Sequence, residues 1–305
     1  MRLSTAQIDR AVGAVLGTAA GDALGAGYEF GPPLPDDAPV EMRGGGQFDW
    51  APGEWTDDTS MSIPILRVVA RGERITEEAC DELVEAWAAW ARTAKDVGIH
   101  TRQVFELLDA PTAASARAAA QTVHDRTGRS AGNGSLMRTA PLVLGYLDDP
   151  QALAAAAREV SALTHVERSA GDACAIWCLA IRHAILEGDL DIHAAVDEAG
   201  APAWHERIAE AEQRHPRDFV HNGWVVEALQ GAWSAIHHGT SFVDAVERAV
   251  RGGRDTDTVA AIAGALAGAR RGAAGIPVAW LGKLHGWPGL RSDDLERLAL
   301  AAVGE

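Results

Sequence analysis

Cysteine is scarce and does not pair: the 305 residues include only Cys80, Cys174 and Cys178. An odd set of three excludes a disulfide scaffold, and Cys174 and Cys178, four apart on a helical pattern, have no second pair to complete a zinc site. A reducing cytoplasm is the expected compartment. Positive charge is also short, because 27 Lys+Arg face 43 Asp+Glu for a net charge of −16 at pH 7. Such a surface repels phosphate backbones and no basic stripe offsets it, so nucleic acid is not an expected partner. No uninterrupted apolar run reaches about 18 residues, so no transmembrane helix is expected. The nearest candidate, Val259 to Ala269, stops at Arg270 and Arg271. Tyrosine is down to two residues, and no region alternates with period two in a Val/Ile/Thr-rich setting, which leaves strands without support.

What remains is 47% apolar residues, ample for the core of one domain spanning 1–305 and too many for disorder. Ser4 followed by Gln7 is a capping box, and Ile8, Val12, Val15, Leu16 and Ala19 then recur at helical spacing. Arg2 and Arg10 before AVGAVLGTAA imitate a secretory signal, but Asp9 and Asp22 bracket the run, which reads as a capped amphipathic helix. Within it Gly13, Gly17, Gly21 and Gly25 leave one face bare at about 1 kcal/mol of helix propensity each. Something approaches that face closely, either a neighbouring helix or a ligand. Further helices are expected from Thr76 through Trp90, Ala113 to His124, Gln151 to Leu163, Ser169 to Leu186, Trp224 through Ile236, Phe242 to Arg251 and Asp293 to Ala302. The chain is read as an all-α, compact single domain. Between Glu29 and Trp55, repeated Pro and Gly break any helix, and a loop of that length ending in acids suggests function.

Two acidic clusters carry the chemistry. Thr56, Asp57, Asp58 and Thr59 precede one helix; Arg254, Asp255, Thr256, Asp257 and Thr258 precede another. Helix capping accounts for one carboxylate in each. Each cluster has two. Asp57 and Asp58 are adjacent and diverge, whereas Asp255 and Asp257 can converge. If the clusters meet, each like-charged pair about 4 Å apart costs roughly 4 kcal/mol at an effective dielectric near 20. Cations or retained protons then become necessary. An all-oxygen donor set favours Mg²⁺, Mn²⁺ or Ca²⁺ over zinc, and two acids from each cluster suggest a pair of ions.

The motifs, in order, are Gly17-Thr18-Ala19-Ala20-Gly21-Asp22-Ala23-Leu24-Gly25, Tyr28-Glu29, Trp55-Thr56-Asp57-Asp58-Thr59, Asp96-Val97-Gly98, Gly132-Asn133-Gly134-Ser135-Leu136-Met137-Arg138, Thr164-His165 and Arg254-Asp255-Thr256-Asp257-Thr258 followed by Ala260-Ala261-Ile262-Ala263-Gly264-Ala265. This series resembles the ADP-ribosylglycohydrolase family along nearly the whole chain. The resemblance implies a compact orthogonal helix bundle with a binuclear site, two Mg²⁺ or Mn²⁺ held by Thr56, Asp57, Asp58, Asp255, Asp257 and Thr258. It implies hydrolysis of the bond between ADP-ribose and a protein side chain or small acceptor, with Asp58 and Glu29 as catalytic residues and Glu29 in proton transfer. Gly132, Asn133, Gly134 and Ser135 would offer amides to the ribose and diphosphate, with His165 near the diphosphate.

Asp96 resembles the family aspartate that faces substrate in the arginine-specific bacterial enzymes, but Ile99 stands where those have Asn. Asp96 is therefore expected either to contact substrate or to brace a loop. Most of the ten tryptophans fall at helix-periodic core positions, and Trp55 is the one expected near adenine or ribose. A monomer is expected. Two other readings stay open: a catalytically silent ADP-ribose or nucleotide binder, and a hydrolase of O-acetyl-ADP-ribose or a phosphoester. No GxSxG elbow, Walker loop or dinucleotide fingerprint is present.

Overall fold

The computed structural model describes residues 2–305. Its helices in chain order are α1 (Thr5–Gly25), α2 (Asp57–Ala70), α3 (Glu77–Ala91), α4 (Ile99–Glu106), α5 (Ala113–Thr127), α6 (Pro150–Ala162), α7 (Arg168–Glu187), α8 (Ile192–Glu198), α9 (Trp204–Ala211), α10 (Val225–His237), α11 (Phe242–Arg251), α12 (Thr256–Arg271), α13 (Val278–Leu281) and α14 (Ser292–Ala302). Short 3₁₀ turns and one antiparallel hairpin, His285–Gly286 with Leu290–Arg291, fill the connections. The all-α reading holds.

Local chemistry sets the helix ends. Ser4 Oγ accepts from the Gln7 amide at 3.3 Å while the Ser4 amide donates to Gln7 Oε1 at 2.9 Å, closing the capping box of α1. Thr76, Asp149 and Ser241 cap α3, α6 and α11 through their side chains. Gly128 and Gly188 end α5 and α7 in the left-handed conformation.

The centre is the antiparallel pair α1 and α12. Gly13, Gly17 and Gly21 lie against the backbone of Gly268, Gly264 and Ala260, and a Cβ at Gly21 would stand 2.0 Å from the Ala260 carbonyl oxygen. The bare face is a helix interface, not a ligand surface. At its end Gly25 abuts the backbone of Asp257, where a Cβ would lie 2.5 Å from the Asp257 Cα. The glycine row thereby sets the position of Asp257 relative to Asp22, one turn back on α1. Around this pair one hydrophobic cluster extends from α1 to α14, taking in Trp87, Trp90, Trp177 and Trp233. Three of these indoles find partners: Trp87 Nε1 donates to the Met61 carbonyl at 2.9 Å, Trp177 Nε1 to that of Ile262 at 3.1 Å and Trp233 Nε1 to Glu212 Oε1 at 3.1 Å. Helix α7 is long and apolar enough to cross a membrane by composition, but 72% of its most apolar window is buried in this core.

The stretch from Glu29 to Trp55 carries no helix or extended strand, and pairs only at isolated points: Gly31 with Arg254, Gly45 with Trp50 and Glu54 with His285. The first of these contacts ties the residues after Glu29 to the residue before Asp255. Both acidic clusters and the loop therefore share one end of the bundle.

Candidate functional site

Asp22 is the acid that α1 buries completely, amid glycine and alanine. Its carboxylate accepts from the Thr56 amide at 2.9 Å, the Thr59 amide at 3.0 Å and the Thr59 hydroxyl at 2.6 Å. A side chain of α1 therefore caps α2. Thr56 makes no side-chain cap of its own, and neither does Asp255 at the start of α12. The capping account of the two clusters fails, and their carboxylates are left to face one another.

Asp57 and Asp58 diverge as adjacency requires. Asp58 turns inward, fully buried, and its Oδ2 accepts from Thr56 Oγ1 at 3.0 Å and Thr258 Oγ1 at 3.5 Å. Asp57 borders the cleft described below. Carboxylate oxygens of Asp22, Asp58 and Asp257 lie within 4.8 Å of one another, as do those of Glu29, Asp255 and Asp257. Asp257 belongs to both groups. Asp255 Oδ2 accepts from Asn133 Nδ2 at 2.8 Å, and the Asp255 amide donates to Asn222 Oδ1 at 3.3 Å, so the second group is braced from outside.

These acids resist ionisation. Burial, followed by repulsion from Asp255, Asp96, Asp57 and Asp22, pushes Glu29 up to about 9. Burial and neighbouring acids hold Asp57, Asp58 and Asp257 well above the usual carboxylate range, and burial lifts Asp22 to about 6. Arg254 does not compensate, because its guanidinium donates to the carbonyls of Arg217 and Gly252. Among the described residues, Asp58 Oδ1 and Asp257 Oδ1 are buried with no hydrogen-bond partner at all. Orphaned, mutually close carboxylate oxygens are what a hard divalent cation would satisfy.

The cluster floors a cleft of about 550 Å³. Glu29, Asp57, Asp96, Asp255 and Asp257 line it together with Gly132, Asn133, Gly134 and His165, and Phe30, Phe48 and Ile99 also border it. Ile99 is 81% exposed and Phe30 59%. Asp96 is partly buried and raised by that burial. The Gly132 loop is held by pairing with Trp224 and by the Asn133 amide donating to the Gly223 carbonyl at 3.1 Å. Ser135 departs from the rest of its motif: its hydroxyl points into the core and accepts from Ser161 Oγ at 2.9 Å.

One expectation is corrected. Trp55 is 1% exposed, with Nε1 donating to the Trp287 carbonyl at 3.1 Å and Gly286 lying against its indole ring, so it is a core residue and not a ligand neighbour. Two residues stand out in the fold and not in the sequence: Asp22 is there only a single acid in a run of small residues, and Trp224, 42% exposed, only a helix-face position. Trp224 lines a second groove of about 530 Å³ that shares His100, Gly132 and Gly223 with the first.

A sequence profile described as ADP-ribosylglycohydrolase matches residues 3–305. The chain belongs to the ADP-ribosylglycohydrolase family. Within that family it is 32% identical over 292 residues to the ADP-ribosylarginine hydrolase Tri1 of Pseudomonas putida (strain GB-1), covering 91% of this chain and 74% of that protein. It is 31% identical over 288 residues to the ADP-ribosyl-dinitrogen reductase glycohydrolase of Rhodospirillum rubrum, covering 90% of each. A solved structure named as an ADP-ribosylglycohydrolase-related protein complex superimposes with a TM-score of 0.76 at 31% identity, covering 98% of this chain and 99% of that one. The acidic clusters that first indicated the ADP-ribosylglycohydrolase family are thus in the cleft of a fold shared over its full length.

Proposed function

We propose that this chain hydrolyses the glycosidic bond between ADP-ribose and an acceptor side chain, releasing ADP-ribose, and that it needs two divalent cations to do so. Family membership and the named activities of the relatives support the reaction. The metal requirement rests on one observation, the two buried partnerless oxygens Asp58 Oδ1 and Asp257 Oδ1 within a knot of carboxylates.

The ligand set that the family resemblance implies is Thr56, Asp57, Asp58, Asp255, Asp257 and Thr258; Asp22 and Glu29 complete the two carboxylate groups, and Asp57 stands outside both. Mg²⁺ or Mn²⁺ at such a site supplies Lewis acidity toward ribose hydroxyls and acidifies water near neutral pH. The protein's own groups do the rest. Asp22 holds α2 so that Asp57 and Asp58 face opposite directions. Asn133 fixes Asp255 through its side-chain amide. Glu29 lies beside Asp255 and Asp257 on the cleft wall, and a carboxyl there suits proton transfer between water and the leaving group. The Gly132 to Gly134 backbone lines the same cleft and would offer its amides to the sugar and diphosphate.

The test is release of free ADP-ribose from arginine-linked and serine-linked ADP-ribosyl peptides with Mg²⁺, with Mn²⁺ and with EDTA. EDTA-sensitive release from either peptide is the expected result. Binding of ADP-ribose without release from any linkage would make the chain a silent binder, and AMP or phosphate as product would move the attack to phosphorus.

A further inference from the structure

Arg138 has no exposed surface, and no carboxylate of the described residues pairs with it. Its guanidinium lies 4.0 Å over the Trp87 ring, and Nη2 donates to the Val160 carbonyl at 3.3 Å and to Thr164 Oγ1 at 2.7 Å. The π face and the C-terminal turn of α6 are what make a buried cation tolerable here. Burial brings Arg138 down to about 9, which still leaves it charged at neutral pH. Nothing in the glycosidic reaction calls for this residue directly.

Thr164 Oγ1 is also 2.7 Å from His165 Nδ1. A guanidinium can only donate, so the hydroxyl accepts from Arg138, and its single proton is available for Nδ1. An imidazole that accepts at Nδ1 while neutral carries its proton on Nε2. Among the described residues Nε2 has no partner, although His165 is only 2% exposed. It lies under the Gly132 loop: a Cβ at Gly132 would stand 3.3 Å from Nε2, and one at Gly134 3.4 Å. Neither position tolerates a side chain without moving the ring. His100, its ring tilted at 48° with centroids 4.5 Å apart, does not compete, since its own Nε2 is bonded to the Thr164 carbonyl at 2.7 Å.

We propose that Arg138 is a positioning residue which, through Thr164 Oγ1, locks His165 in its Nε2–H tautomer, so that a neutral donor faces an anionic oxygen of the ligand beside the Gly132 loop. The inference rests on the ADP-ribose reading of the cleft, whose diphosphate provides that oxygen. His100 and Arg138 face the imidazole directly, and Arg158, Glu167, Arg168 and Asp172 line the neighbouring cavity with it. Burial, then His100 and Arg138, keep His165 well below the ordinary histidine range. Its donor role therefore does not depend on a charged ring.

The experiment has two arms. Two-dimensional ¹H–¹⁵N NMR of the ligand-free full chain should show His165 with Nδ1 unprotonated and Nε2 protonated, unchanged from pH 8 to pH 5. Titration calorimetry with ADP-ribose in Mg²⁺ should show roughly a 10- to 100-fold loss of affinity in Thr164→Val, which keeps the shape and removes the hydroxyl, and near-wild-type affinity in Thr164→Ser. Arg138→Met should match Thr164→Val where it folds; the threonine pair decides the matter where it does not. An Nδ1–H tautomer, an imidazolium at pH 7, or unchanged binding in Thr164→Val overturns the proposal. If the wild-type tautomer is as expected but ADP-ribose does not bind, the relay stands and the functional reading of the cleft falls.

Discussion

Replacing Gly21 by alanine tests whether the glycine row places the acids. By intrinsic propensity the change should help, since alanine is better than glycine in a helix interior by about 1 kcal/mol. The structure reverses the sign. The new Cβ would be 2.0 Å from the Ala260 carbonyl oxygen, 2.5 Å from its carbon and 3.0 Å from the Ala261 nitrogen, all backbone atoms of α12 that no rotamer change can move. Ordinary contact begins near 3.4 Å, so α1 and α12 must part by more than 1 Å along a face where both are built of small residues. Overpacking of this kind costs about 1–3 kcal/mol and more where the obstacle is rigid. Against the propensity gain the expected net loss is about 2 kcal/mol, or roughly 3 °C in Tm for a domain of this size. Gly231→Ala is the control. Its Cβ would meet only Val259 Cγ1 at 3.4 Å, so it should be neutral or stabilising by up to about 1 kcal/mol. Differential scanning calorimetry with EDTA present separates the two. Because Asp22 follows Gly21 and Asp257 sits at the far end of the same contact, Gly21→Ala should also weaken Mg²⁺ binding in calorimetry at temperatures where it remains folded. A Gly21→Ala protein as stable as the parent would refute the reading of α1 and α12 as a backbone-to-backbone contact.

Asp58→Asn removes a buried carboxyl that the metal-free fold must either hold against its neighbours' charge or protonate, so in EDTA it should raise stability, by about 1–4 kcal/mol, while abolishing the gain in Tm that Mg²⁺ gives the parent; a drop in stability in EDTA would mean that the acids are not in mutual repulsion. Glu29, raised to about 9, makes the metal-free fold hold a proton that the unfolded chain gives up near its ordinary value of 4.5. Its contribution is therefore full at low pH and lost as pH rises toward 9, and thermal scans should show Tm falling over that window in EDTA more steeply than in Mg²⁺. Equal slopes in the two buffers would contradict this. Glu29→Gln should lower kcat for ADP-ribose release by about 10²–10⁴-fold with little change in ADP-ribose affinity, read from initial rates and calorimetry.

The parts of the fold that could be read beforehand are those where one local rule suffices. Ser4 and Gln7 close a capping box on their own, and the expected and observed bounds of α11 coincide because a serine cap, a strongly two-sided helix and a terminal arginine agree there. Helices α4, α8, α9 and α13 are eight residues or fewer, too short for apolar periodicity to show, and tertiary contacts supply what propensity does not. The acidic clusters were legible for a different reason: two carboxylates at one helix start exceed what capping uses. Asp22 escaped because its role depends on a partner 34 residues away in the chain, the amide of Thr56. Trp55 misled because proximity in sequence to Asp57 says nothing about direction, and its indole turns to Trp287, 232 residues on. Arg138 is the sharpest case. In sequence it is only the last letter of a glycine-rich motif. Its place between Trp87 and Thr164 arises because α3, α6 and the turn after Gly134 meet, and that meeting is what can turn an ordinary histidine into a donor of fixed direction.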